Sequence, residues 1–315
     1  MAALEPVPAS AFSAAVARIA AFMAGFSLEA TRPSDADIAA LVAVAPGTRV
    51  YISAVPGRPA AEAVSAAIRL RAAGFEPVPH LAVRNFATRE ALDDFLMRLN
   101  GEANVERVLV IAGDRAEYGP FRRAADAIDS GLLQRRGIRA IGIAGYPDGH
   151  PRIGEDELFR ALAEKISAAE ATGLGIEIVT QFCFDAPTIL SYIARVRAFG
   201  FEQPLRIGLA GPTSLAALVR YAGRCGVRAS AQGLARRAGL LRQAFAMAVP
   251  DDLVRSLADA AAVQAGDHVG DTISAHFFSF GGLPACARWA AAVAAGRIAI
   301  DSDVGFKVAP PQADG

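Results

Sequence analysis

A short apolar run recurs eight times in this chain, nearly always ending on a polar or aromatic side chain, and the repetition narrows the folds open to it. The clearest run is Arg107-Val-Leu-Val-Ile-Ala-Gly-Asp114. Its unbroken aliphatic residues mark a strand buried on both faces. Turn-forming residues from Arg115 to Pro120 stop the strand and leave Asp114 at its C-terminal mouth. Related runs cover 24–30 with Glu29, 48–54 with Ser53, 75–81 with His80 and 138–146 with Tyr146. Others cover 174–181 with Thr180-Gln181, 204–211 before Pro212, and 272–280 with Phe278-Ser279-Phe280. A polar or aromatic group at nearly every strand end suits a barrel with one active mouth.

Between these runs, apolar residues fall at the three- and four-residue spacing of amphipathic helices. Ser34 is placed to cap a helix over 35–44 and Thr88 one over 89–99, while Pro59 opens one that runs to 73. Segments 121–135, 155–171, 186–199 and 213–224 continue the series, and Gly74, Gly137, Gly173, Gly200 and Gly226 follow helix ends. Right-handed βα crossovers leave a barrel or a doubly wound sheet. Seven units are complete by residue 224, and 272–280 with the helix at 282–295 supplies an eighth, so the count favours an α/β fold of the (β/α)8 barrel type. The long stretch 227–271 reads as extra helices at about 231–247 and 251–265 before the last strand. One barrel domain over 1–315 is expected, with a helix in 1–22 and a loose tail at 308–315 as appendages. Phe12, Val16, Ile19, Phe22 and Met23 share one face of that first helix, suited to closing the barrel bottom or packing on its side.

Thirty-two basic and thirty-two acidic residues cancel, and no basic stripe could neutralise a phosphate backbone, so nucleic acid is not an expected partner. Cys183, Cys225 and Cys286 are odd in number and lack metal spacing, as expected of reduced thiols in a cytoplasmic protein. The Ala-rich stretch from Ala9 to Gly25 is preceded by Glu5 and interrupted by Arg18, a poor match to a signal peptide or a membrane span. The four histidines (His80, His150, His268 and His276) occupy four different segments, so no metal site is expected. Phosphate-binding glycine loops of the Gly-x-Gly-x-x-Gly or Walker kind are also missing, so a dinucleotide would have to be held by barrel-mouth loops.

Several strand-end residues have two readings. Glu29, in an otherwise apolar strand, is either a carboxylate paired with Arg32 or a partly buried acid whose pKa is raised enough to donate a proton. Asp114 divides the same way, and His80 between Pro79 and Leu81 reads first as a core histidine. Ala144-Gly-Tyr-Pro-Asp-Gly-His-Pro151 is a rigid crossover loop or a frame in which Tyr146 and His150 edge a flat ligand. In Ile178-Val-Thr-Gln-Phe-Cys-Phe-Asp185, Gln181 offers an amide with both donor and acceptor capacity, suited to a heteroaromatic ring.

In order and spacing, Glu29, Pro79-His80-Leu81, Ala112-Gly113-Asp114, the Tyr146-Pro-x-x-His-Pro151 loop and Thr180-Gln-Phe-x-Phe-Asp185 resemble the methylenetetrahydrofolate reductase family. The resemblance runs from about residue 24 to 215 and implies a (β/α)8 TIM barrel holding FAD at its C-terminal mouth. It implies an oxidoreductase of one-carbon metabolism and methionine biosynthesis, which passes hydride from NADH or NADPH through flavin to methylenetetrahydrofolate. By position, Glu29 would be the general acid that opens the imidazolidine ring. Asp114 would hold the pterin and tune the flavin. Gln181 would bond folate, and Phe182 would pack on folate or nicotinamide. FAD would be contacted by His80, Gly113, Asp114, Tyr146 and His150, by Ser53 in place of a family threonine, by Ala124 along the adenosine, and by Lys165 at the phosphates.

Leu28-Glu-Ala-Thr-Arg-Pro33 has less aromatic bulk than the family's usual Phe-Glu-Phe-Phe-Pro-Pro, Ala112 replaces a frequent arginine, and Gly281-Gly282 replaces a common Asn-Arg pair that contacts the folate tail. The chain reads as a short, barrel-only form, for which control through a C-terminal regulatory domain is not expected. A folate substrate and a homo-oligomer are expected, without a membrane partner. Two alternatives share the pocket: a catabolic enzyme oxidising methyltetrahydrofolate, and a non-catalytic folate-binding barrel or complex subunit.

Overall fold

A computed structural model describes residues 9–55, 57–116, 119–214, 216–218, 220–221, 247–264, 273–300 and 305–309. Eight parallel strands form its centre: β1 (Ser27–Ala30), β2 (Arg49–Ile52), β3 (Glu76–Ala82), β4 (Arg107–Ile111), β5 (Ala140–Gly145), β6 (Gly175–Thr180), β7 (Leu205–Ala210) and β8 (Ile273–Phe278). Each pairs with its sequence neighbours, and β1 pairs with β8 to close the sheet, with Ser27 opposite His276 and Glu29 opposite Phe278. The (β/α)8 barrel expected from the strand–helix repeat is therefore the observed architecture.

Alternation along these strands separates two apolar compartments. Outward residues such as Leu28, Val50, Leu81, Val108, Ile141, Ile178, Ile207 and Phe277 pack under the helices in one continuous core. Inside the barrel a smaller apolar layer consists of Tyr51, Val78, Leu109 and Val179. Bulky Tyr51 and Leu109 leave little room, so β5 contributes Gly142, where a Cβ would stand 2.9 Å from Leu109 and 3.1 Å from Val179. Such a swap of large for small side chains keeps a barrel interior close-packed.

The helices follow the periodicity with some adjustments. Helix α1 (Ala9–Met23) is followed by α2 (Asp35–Ala39), α3 (Ala60–Ala72), α4 (Arg89–Ala103), α5 (Ala124–Ile128), α6 (Leu132–Arg135), α7 (Glu155–Ala171) and α8 (Ala186–Ala198). Ser34 and Thr88 cap α2 and α4 as expected, Ser34 through a reciprocal bond with Asp37. The helix predicted over 121–135 is split into α5 and α6, because Gly131 turns the backbone left-handed at φ +70°. Before β8, α9 (Asp251–Gln264) agrees with the extra helix at 251–265, whereas the one at 231–247 lies outside the described residues except for Met247, which is in a strand. Thr213–Ser214, expected to begin a helix, instead pair antiparallel with Met247–Ala248, and Ser214 accepts from the Ala217 amide at the following turn.

After β8 comes α10 (Leu283–Ala294). Helix α1 lies on the side of the barrel against α9 and α10, tied by an ion pair between Arg18 and Asp259 at 2.8 Å. Phe12, expected on that apolar face, is exposed. The tail begins later than expected, because Lys307–Val308 pair with Ile298–Ala299.

Candidate active site

Charge fills the N-terminal end of the lumen. Glu177 is almost fully buried and accepts from Arg49 at 2.7 Å, Arg206 at 2.8 Å and the Tyr51 hydroxyl at 2.6 Å. Glu76 bridges Arg49 and Arg107 beside it. Burial alone would push the Glu177 carboxyl up, but Arg206, Arg49 and Arg107 outweigh it and hold the group below the usual carboxylate range.

Above the Tyr51 layer, β3, β8 and the residue just after β2 each turn one polar side chain onto Glu29 of β1. Ser53 donates to Oε1 at 2.6 Å and is itself 3.0 Å from the Thr31 hydroxyl. His80 Nε2 and His276 Nε2 both stand 3.4 Å from Oε2. His276 is completely buried, with its Nδ1 2.9 Å from the Ser27 hydroxyl. The expectation that apolar neighbours raise the Glu29 pKa is overturned. Burial pushes it up, but the charge of His80 and the hydrogen bond from His276 prevail, and the carboxyl lies well below its ordinary range. The inward neighbours across the barrel, not the sequence neighbours Leu28 and Ala30, set its environment. Arg32, the alternative partner, occupies a left-handed position at φ 53° and is exposed.

The loops after β4 and β5 form a second group. Strand β4 ends at Ile111, so Asp114 lies in the exposed turn beyond it and not on the strand. Gly113 in that turn has φ +89°, and a Cβ there would come within 3.1 Å of the Ala82 methyl. Tyr146 and His150 meet edge to face at 5.3 Å. Burial and then Asp114 push the Tyr146 hydroxyl up. Burial and Arg152 push His150 down while Asp114 opposes them. The three residues therefore feel one another. Asp114→Asn is expected to shift the His150 titration further down, and NMR of the imidazole protons checks it; an unmoved titration would separate the two loops. A small cleft opens beside Tyr146, between β5 and the inner faces of α7 and α8.

Lys165 reaches from α7 toward β5, where its Nζ donates to the Ala144 carbonyl at 3.3 Å. Burial lowers its pKa to about 8. Ala124 opens α5, which packs along α7, and Arg123 just before it binds Glu164 at 2.7 Å. These two positions thus lie on adjoining helices next to the mouth.

Gln181 spends its side-chain oxygen on the Phe182 amide at 3.0 Å. Phe182, expected to pack on a ligand, is instead completely buried. It forms the centre of a cluster with Phe184, Phe278 and Phe280, whose ring centroids lie 5.1–5.5 Å away. The rings left half-exposed are those three, and Tyr221 stacks on Phe280 at 4.7 Å. Gly281 is left-handed at φ +88° and leads into α10, where Arg288 is exposed. Among the described residues no group of three or more His, Cys, Asp or Glu is placed to hold a metal, and no helix is long and apolar enough to cross a membrane.

His276 is the main functional candidate that the sequence reading missed. Its signal was the alternation along Ile273-Ser-Ala-His-Phe-Phe278, which puts His276 and Phe278 on one face, but its pairing with Glu29 needs the β1–β8 closure.

Parts of the chain are similar to known proteins. Two yeast proteins align with part of the chain. Methylenetetrahydrofolate reductase 2 of Saccharomyces cerevisiae is 28% identical over 160 residues, covering 47% of this chain and 26% of that protein. Methylenetetrahydrofolate reductase 1 of Schizosaccharomyces pombe is 29% identical over 158 residues, covering 47% and 25%. The aligned part is thus about a quarter of each relative's length. Dihydropteroate synthase from Thermus thermophilus superposes at a TM-score of 0.41 with 15% identity, over 84% of this chain and 89% of that one, a level that says nothing about function. The model of the family described as methylenetetrahydrofolate reductase matches residues 56–239, from the loop after β2 to beyond β7. That is more than half of the chain, and the chain belongs to the methylenetetrahydrofolate reductase family.

Proposed function

We propose that this protein is a flavin-dependent oxidoreductase that reduces 5,10-methylenetetrahydrofolate to 5-methyltetrahydrofolate with electrons from NADH or NADPH. The observation that carries the reading is the Glu29 carboxylate, held at the C-terminal mouth by Ser53, His80 and His276. Family membership supports a folate as the substrate class.

The residues present fit a flavin. His80 Nε2 is buried without a well-aligned hydrogen-bond partner, and Lys165 is a buried amine bonded to one carbonyl. His80, Gly113, Asp114, Tyr146, His150, Ala124 and Lys165 would hold it, with Ser53 beside them. The flavin, when bound, supplies hydride acceptance from nicotinamide and hydride donation to the folate carbon.

The chain's own groups prepare the substrate. Opening the five-membered ring of methylenetetrahydrofolate puts a proton on the departing nitrogen and leaves a cationic iminium. Glu29 and His80, 3.4 Å apart, can hold that proton between them. The ionised Glu29 carboxylate places negative charge beside the developing cation in a water-poor lumen. Asp114 and Gln181 orient the pterin, and the half-exposed Phe184, Phe278 and Phe280 supply an apolar wall for the aromatic part of the folate. Location in the cytoplasm and assembly into a homo-oligomer belong to the same proposal.

Absorbance of the purified protein tests the reading. Near-stoichiometric flavin bands, bleached by a reduced nicotinamide and restored by methylenetetrahydrofolate, are expected. A protein that takes up no flavin would favour the non-catalytic folate-binding barrel. Lys165→Met is expected to weaken flavin retention about tenfold or more, as for loss of one charge-assisted contact. Equilibrium dialysis checks this, and an unchanged affinity would assign Lys165 to packing of α7 alone.

A further inference from the structure

We propose that His276 is a positioning residue that holds the Glu29 carboxylate through a neutral imidazole protonated on Nε2, its tautomer fixed by Ser27 and Arg206. The inference rests on the proposed function only where it concerns turnover. The geometry stands by itself.

The chain of bonds can be followed from the lumen floor upward. Arg206 is committed to Glu177 through Nε at 2.8 Å, and its Nη1 donates to the Ser27 hydroxyl oxygen at 3.3 Å. A guanidinium only donates, so Ser27 accepts there and its own hydroxyl proton is free to point at His276 Nδ1, 2.9 Å away. An Nδ1 that accepts carries no proton. The ring proton of the neutral imidazole therefore sits on Nε2, which faces Glu29 Oε2 at 3.4 Å. The ring cannot easily turn out of this arrangement. Tyr51 contacts it edge to face at 4.6 Å, Phe278 does so at 5.0 Å, and the side chain has no exposed surface.

The charged and titratable groups facing His276 come from four strands. From β1 it meets Glu29, from β2 Tyr51, from β3 His80 and from β7 Arg206. Complete burial disfavours the imidazolium most, and Arg206 and His80 add to this against the opposing pull of Glu29. His276 is thus a fixed donor and not a second acid, which leaves the exchangeable proton with Glu29 and His80. Arg206 links this donor to the charged floor, so floor and acid form one bonded column.

Three measurements test the assignment. In the purified wild-type protein, ¹⁵N NMR should show His276 with an acceptor Nδ1 and a protonated Nε2 across the neutral range; an imidazolium or the opposite tautomer overturns the proposal. The carboxyl of Glu29, followed by isotope-edited infrared spectroscopy without substrate, should titrate higher in His276→Asn. The Asn amide can reach Ser27 but not Glu29, whereas Gln in His276→Gln offers an N–H near the Nε2 position and should restore most of the wild-type titration. An unshifted His276→Asn, or a folded His276→Gln that behaves like it, overturns the proposal. In turnover, His276→Asn should lower kcat of the folate half-reaction about tenfold and move its pH profile, with nicotinamide oxidation unaffected. If the wild type reduces no folate while both spectra appear as expected, the functional reading fails and the positioning assignment stands.

Discussion

Glu29→Gln is expected to leave hydride transfer from reduced nicotinamide to flavin largely intact and to slow folate reduction about a hundredfold or more, the usual contribution of a positioned acid–base group. The side chain keeps its size, and the Ser53 bond to Oε1 can persist, so the flavin site should survive. What is lost is the negative charge that faces His80 across 3.4 Å. The nicotinamide half-reaction does not need that charge, because no ring opens in it. Stopped-flow absorbance at the flavin band follows the two half-reactions separately. Equal losses in both would make Glu29 a structural member of the mouth and remove it from proton transfer.

The second large effect lies at the opposite end of the lumen. Glu177→Ala is expected to destabilise the fold by about 3–5 kcal/mol, because it leaves Arg49, Arg107 and Arg206 facing one another with Glu76 as the remaining carboxylate among them. Replacing one member of a buried charged set costs more than the set itself contributes, since the abandoned charges stay desolvated. The same site fixes an acid limit. The folded pKa of Glu177 is depressed, so its contribution is complete above the unfolded carboxylate value of roughly 4 and is lost as pH falls through the folded value. Urea melts of the wild type and Glu177→Gln at several pH values check this. The variant should lose less stability between neutral and acid pH than the wild type. A Glu177→Ala protein within about 0.5 kcal/mol of the wild type would mean that the arginines find water or other partners.

The two sites illustrate what can be seen in a sequence of this kind. Strand β4 was legible because Val108, Leu109 and Val110 are buried whichever neighbours they meet, and α7 because its apolar stripe spans the same residues that the periodicity marks. Ser34 and Thr88 were legible as caps because a cap acts within its own turn. The break between α5 and α6 was not, although Gly131 was visible, because the apolar spacing continues across it. Asp114, Tyr146 and His150, which motif order marked, come together in the loops beyond β4 and β5.

The side chains that decide the chemistry were less legible. Phe182 carries the same ring as Phe184 and lies two residues away, yet only packing against Phe278 and Phe280 makes it the buried one. Glu177 and Arg206 each look like a charge interrupting an aliphatic strand until the barrel closes and sets them 2.8 Å apart. Glu29 shows the division most clearly. Its sequence neighbours are apolar and argue for a raised pKa, whereas β2, β3 and β8 bring Ser53, His80 and His276 to it from 24, 51 and 247 residues away, and these contacts lower it. Alternation along a strand states which residues face inward, and the chain alone settles that much, together with the eightfold repeat and the caps. Which inward residues meet depends on strand register and on the closure of β1 against β8, because electrostatic and hydrogen-bond energies act over a few ångströms of space regardless of separation along the chain.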